Sequence, residues 1–227
     1  MIDARVNIGN KFNEDGSVRF FPGNSIVSML DHEAEAWRVF CGIRQKLQEY
    51  PVARCLTFLP DESIHMTVFE GVCHQWREKE VWTRFLPIDC TLTETDELFE
   101  RELKKVQPLG TVTMRLDEMG VWDYGVNIPL FPATEKDAQE LRRYRDDCSQ
   151  ALGIRHAIHD TYRHHLSMGY FVADGTDEDE QQLKAFAQRV TEWLREHPVT
   201  FTVQQPKLTF FNDMFFFHPN RIERNGL

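Results

Sequence analysis

SIHMTVFEGV, residues 63–72, and RHHLSMGYFV, residues 163–172, decide how this chain is read. Both are apolar and alternate as strands do. Each carries a histidine followed two places later by a hydroxyl residue: His65 and Thr67 in the first, His165 and Ser167 in the second. On a strand, residues i and i+2 share a face, so each pair projects together. By that alternation Ser63 and Phe69 join the first pair and Arg163 joins the second. Tyr162, His164, Leu166, Met168 and Tyr170 fall on the opposite, packing face of the second strand. A third match, His159-Asp160-Thr161, lacks strand alternation and reads as loop.

The surroundings of the two stretches follow one order. SIVSML (25–30) reads as a buried strand after a turn at Gly23-Asn24, and Asp31 as the N-cap of a helix. Ala36, Phe40, Ile43, Leu47 and Tyr50 form that helix's apolar stripe, ended by Pro51. RCLTFL (54–59) is a short strand leading to the first histidine strand. In the second half YGVNIPL (124–130) is a strand, with Pro129 expected at an edge or strand end. Thr134 caps a helix with Asp137 in its first turn; Ala138, Leu141, Tyr144, Cys148 and Leu152 are its stripe, and Gly153 stops it. Two strand–helix–strand halves predict an α+β fold. It is bilobal, a pseudo-two-fold duplicated unit, with antiparallel sheets lining a central groove and helices outside. The expected organisation is one domain, 1–227: an N-terminal arm at 1–23, a first half at about 24–110 and a second at about 111–227.

Helices are further expected over 74–86 and 95–106, and from Thr176 with Leu183, Phe186, Val190 and Trp193 on one face. GTVTMRL (110–116), TFTVQQ, KLTFF and MFFFH read as strands, the last two joined by a turn at Asn212-Asp213.

A net charge of −10 argues against a long nucleic-acid groove, which needs a basic face. No apolar run approaches signal-peptide or membrane-spanning length. Five scattered cysteines without a CxxC pair read as reduced thiols, so a cytoplasmic location and a monomer are expected.

If the two strands face each other across a groove, it holds two imidazoles and two hydroxyls, with the Arg163 guanidinium beside them. That set suits a phosphodiester. A neutral histidine accepts a proton from the attacking oxygen, and a protonated one donates to the leaving oxygen. Imidazole can hold both states near neutral pH. Thr67 and Ser167 can donate to the non-bridging oxygens, and Arg163 can offset developing charge. No metal or cofactor is needed for these steps.

IHMTVF and HHLSMGYF resemble the paired H-x-[ST]-hydrophobic motifs of the two-histidine (2H) phosphoesterase superfamily. That superfamily includes bacterial RNA 2′,3′-cyclic phosphodiesterases, plant cyclic phosphodiesterases and kinase-anchoring-protein-type domains. His65 and Thr67 match the first motif; His165 and Ser167 match the second. The resemblance implies a bilobal α+β fold with the motifs on the central strands of a V-shaped groove. It implies metal-independent cleavage or formation of a 2′-linked phosphodiester. The chain departs from compact members by its N-terminal arm and an insert at roughly 88–110. FPGNSIVSML resembles an uncharacterised bacterial and fungal branch.

Expected substrate contacts are Arg163, Asn24 as an amide donor, Trp122 and Tyr124 as stacking platforms and Phe217 as a groove wall. The expected partner is a small nucleotide or RNA terminus, with no long nucleic acid and no membrane. A binding module of the same fold without turnover is one alternative. A metal-dependent hydrolase built on the cluster from His156 to His165 is another, although no zinc-ligand spacing is present.

Overall fold

The computed structural model describes residues 2–224; residue 1 of the expected arm and residues 225–227 of the expected second half lie outside the described residues. In chain order the elements are β1 (Gly23–Met29), α1 (Glu35–Gln48), β2 (Leu56–Phe58), β3 (His65–Cys73), α2 (Leu92–Leu103), β4 (Thr113–Leu116), β5 (Gly120–Trp122), β6 (Gly125–Pro132), α3 (Glu135–Leu152), β7 (His165–Phe171), α4 (Asp177–Glu196), β8 (Val199–Thr202) and β9 (Lys207–Phe211).

The strands form one antiparallel sheet in the order β8-β4-β6-β7-β3-β1-β9, with β2 added to β7 and β5 to β6. Three strands on each side of the β7–β3 boundary correspond, β4-β6-β7 and β3-β1-β9, and β8 extends the first side by one. The two histidine strands are therefore the central pair. The halves of the sequence also exchange strands. β2, from the first half, pairs with β7, and β9, from the chain's end, pairs with β1. The two wings of the sheet thus differ from a simple cut of the sequence near residue 110.

The helices form where side chains close their first turns. Thr134 caps α3 by accepting from the Asp137 amide, and Gly153 ends it at φ 71, a left-handed conformation that costs glycine little. Thr176 with Asp179 and Thr91 with Glu94 make reciprocal capping boxes on α4 and α2. In α1 the buried stripe is Ala36, Phe40, Ile43 and Leu47, as the spacing predicts. Its N-cap is Ala34, not Asp31, whose carboxylate accepts instead from the Glu33 amide just outside the helix. α3 packs against α2 and across β3 and β6, so it supports the first histidine strand and the strand beside the second. No helix of the described residues is long and apolar enough to cross a membrane, and the five cysteines are free thiols.

Several other expectations are corrected. Residues 74–86 form turns, not a helix. Their polar groups are taken by tertiary partners: Thr83 donates to the Leu152 carbonyl, and Arg77 to the carbonyls of Ile88 and Cys90. Gly23 and Asn24 begin β1 instead of forming a turn. Pro129 lies inside a central strand. It is tolerated because β5 starts opposite Asn127 and β4 ends opposite Leu130. The missing N–H of Pro129 falls in the gap between them, while the neighbouring Leu130 amide donates to His164 on the β7 side. MFFFH is not a strand; only His218 bridges back, to Phe210.

Candidate active site

β3 and β7 touch through one pair, Met66 opposite Leu166, both buried beneath the sheet. Antiparallel register carries the next residues outward on the other face: His65 stands against Ser167, and Thr67 against His165. All four side chains line a groove of about 340 Å³. The exchange symmetry of the two sequence motifs is thus realised as a local two-fold arrangement around the Met66–Leu166 pair.

The two imidazoles are oriented by the same device. His65 Nδ1 lies 2.7 Å from the Ser63 carbonyl, and His165 Nδ1 lies 2.9 Å from the Arg163 carbonyl, each two residues upstream. A carbonyl can only accept, so each ring must carry its proton on Nδ1. That leaves Nε2 of each ring as the acceptor, and both rings line the groove.

Their surroundings differ. His65 stands against the Phe217 ring at 4.1 Å. Burial, with a smaller push from His165, lowers its pKa to about 4, against the pull of the Ser63 carbonyl. Burial also lowers His165, and Lys11 acts in the same direction, while the Arg163 carbonyl and the Glu70 carboxylate work upward. Tyr124 Oη lies 3.3 Å from His165 Nε2, and the Trp122 edge packs at 4.8 Å from the His165 ring. With Nδ1 protonated, neutral His165 accepts from the tyrosine. Burial holds the Tyr124 and Tyr162 phenols well above their ordinary range, so both stay neutral. Tyr162 lines the same groove as Thr67.

Of the sequence-predicted residues, the structure brings together His65, Thr67, His165 and Ser167, with Phe217 as a wall and Trp122 and Tyr124 around His165. Two others serve elsewhere. Arg163 precedes β7, so strand alternation does not reach it; its side chain lines a neighbouring cavity with Arg142 and His164. What it offers the groove is its carbonyl, on His165. Asn24 is buried at the groove floor, its amide donating to Asp96 and its oxygen accepting from the Val72 amide. One of its two amide hydrogens is thus committed to Asp96, and the side chain lines the groove from its floor.

The predicted face of β3 also changes beyond Thr67. The β1–β3 register slips between Ile26 and Val27, which pair with Phe69 and Thr67. The extra residue is a bulge that reverses the alternation. Phe69 therefore turns into the core, and Glu70, unanticipated from the sequence, turns into the groove. Glu70 is held by Arg145 at 3.2 Å. Lys11, His156, Tyr162 and Tyr170 are further groove residues that alternation around the motifs does not identify.

The histidines from 156 to 165 do not converge, which corrects the metal-cluster alternative. His156 and His165 line the groove, whereas His159 and His164 line the neighbouring cavity. His164 donates Nδ1–H to the Thr67 carbonyl, and burial lowers it to about 3. Among the described residues Asp146, His159 and Asp160 do come close enough to hold an ion. Arg155 already bridges the two carboxylates, at 3.1 Å to Asp146 and 2.6 Å to Asp160, and His159 takes Asp146.

Residues 11–123 match a family model named 2H-phosphodiest and described as a domain of unknown function (DUF1868). No curated protein matches the chain. A crystal structure of a conserved protein of unknown function, ATU0111 from Agrobacterium tumefaciens, is 26% identical; the match covers 96% of this chain and 92% of that one, with a TM-score of 0.84. Escherichia coli LigT complexed with ATP is 11% identical, covering 83% of this chain and 87% of that one, with a TM-score of 0.45. LigT in apo form gives 10%, 85%, 88% and 0.44 respectively.

Proposed function

We propose, from the premise that this chain belongs to the two-histidine (2H) phosphoesterase superfamily, that it hydrolyses a cyclic or 2′-linked phosphodiester of a small nucleotide or RNA end without a metal. A phosphoesterase-type activity follows from the family; the substrate class and the division of labour are our reading. The observation that carries it is the shared tautomer. Both rings are held as Nδ1–H, and both line one groove with a hydroxyl residue opposite each, the His165 Nε2 meeting only the Tyr124 hydroxyl.

With the phosphorus seated between the rings, we assign the roles from the surroundings of each ring. His65, with its pKa near 4, is neutral and takes the proton of the attacking water on Nε2. His165 has polar company in Tyr124 and the field of Glu70, and it is the ring that carries the proton to the leaving oxygen. The water–phosphorus bond forms and the bond to the leaving 2′- or 3′-oxygen breaks. A proton then passes through solvent from His65 back to His165. Thr67 and Ser167 hold the non-bridging oxygens, where charge accumulates. Cys73 takes no nucleophilic part, because burial raises its thiol to about 11.

The test is turnover of 2′,3′-cyclic nucleotides and 2′-linked dinucleotides in the presence of EDTA, with the His65→Ala/His165→Ala double variant as control. Expected is hydrolysis by the wild type that survives chelation and vanishes in the variant. Activity that chelation abolishes, or that the variant retains, would overturn the proposal. Tight binding with no turnover would favour a binding module instead.

A further inference from the structure

The groove contains one basic side chain that the acid/base pair does not use. Among the described residues Lys11, from the N-terminal arm, is the only lysine or arginine lining it. Its ammonium has no carboxylate within ion-pair distance and no hydrogen-bond acceptor among the described residues. It sits among four aromatic rings instead. The centroids lie at 4.9 Å for Tyr170, 5.6 Å for Phe21, 5.8 Å for Trp76 and 6.0 Å for Tyr124. Ring faces attract a cation but leave its N–H donors unmatched by oxygen.

The arm is built to hold that position. The Lys11 amide donates to the Asn7 carbonyl, and the Lys11 carbonyl accepts from the Arg19 amide. The next residue, Phe12, is fully buried and packs on Tyr170 at 5.3 Å and Phe215 at 6.2 Å. His156, with a buried and unpartnered Nε2, lines the same groove.

Tyr124 stands between this cation and the reacting space: its ring faces Lys11, and its hydroxyl reaches His165 at 3.3 Å. Lys11 is thus displaced from the phosphorus that the histidines would share. We propose that Lys11 binds a second phosphate of the substrate, one that is not cleaved, with a nucleobase lying on the half-exposed Trp76 at the rim. The inference deepens the phosphodiester reading and rests on it. It narrows the substrate class to nucleotides that carry a further phosphate beside the scissile linkage.

The test is calorimetric binding of adenosine 2′,5′-bisphosphate and adenosine 2′-monophosphate to the wild type, Lys11→Gln and Lys11→Arg at low and high salt, with melting curves for each. Expected is a wild-type preference for the bisphosphate of about tenfold, lost in Lys11→Gln and kept in Lys11→Arg, and shrinking with salt. Monophosphate affinity should change less than about twofold in either variant. Lys11→Arg retains a cation on the rings, so it remains informative if Lys11→Gln melts early. A wild type without the preference, or variants that weaken both ligands equally, would overturn the inference. Binding needs no turnover: a preference for the bisphosphate in a protein that hydrolyses no phosphodiester would sink the enzymatic reading and leave Lys11 as an anion site.

Discussion

His65 on β3 and His165 on β7 share a backbone setting and differ in everything around it. Each donates Nδ1–H to the carbonyl two residues upstream, and each is set against the other strand's hydroxyl residue. Beyond that, His65 meets the apolar edge of Phe217, whereas His165 meets the Tyr124 hydroxyl and feels the Glu70 carboxylate. The shared backbone setting fixes the orientation of the rings; their neighbours act on their proton affinities differently. Acid/base catalysis by a pair needs both properties, because two rings with identical affinity would compete for one state.

The comparison breaks most visibly if one ring proves dispensable. His65→Ala and His165→Ala are each expected to lower kcat/KM by about 10²–10⁴. The double variant should lose little more than the worse single one, since the pair acts as a unit. Steady-state kinetics with circular dichroism as a folding control will decide this. Loss confined to one histidine would refute the paired mechanism.

The pH profile sharpens the comparison. His65 must be neutral, so kcat/KM should fall as pH drops through about 4. His165 must be protonated, and burial lowers its pKa, so kcat/KM should fall again as pH rises, with a midpoint below the ordinary histidine value. An optimum above neutrality would contradict the assignment.

Smaller effects should separate the two sides. Tyr124→Phe removes a hydrogen bond that only His165 makes, and about a fivefold loss in kcat is expected, with the acid limb unmoved. Glu70→Gln removes a carboxylate that raises His165, so the alkaline limb should move to lower pH while the acid limb stays. An acid-limb shift in either variant would mean the surroundings are not private to one ring.

The two strands and all four helices were legible, α2 with its start displaced by three residues, because their periods are simple and most of their caps are local. The pair spacing of His65/Thr67 and His165/Ser167 needs only the two-residue repeat of a strand. Thr134, Gly153 and Thr176 announce helix ends through contacts within a few residues. What was missed depends on partners far along the chain. The helical pattern of 74–86 yields to Arg77 and Thr83 bonding with distant carbonyls. The bulge that brings Glu70 into the groove is set by pairing with β1, and alternation alone puts Phe69 there. Arg163 carries no strand geometry because β7 begins at His165. Lys11 lies in an arm without periodicity, and only the folded chain brings it beside Trp76 and Tyr170.

The most direct measurement is a nitrogen-15 NMR titration of the histidine rings in the unliganded protein. Expected are Nδ1–H tautomers for both His65 and His165, with His65 titrating near 4 and His165 below the ordinary imidazole range, at distinct midpoints. Coincident midpoints or an Nε2–H tautomer at either ring would contradict the division of labour on which the chemistry rests.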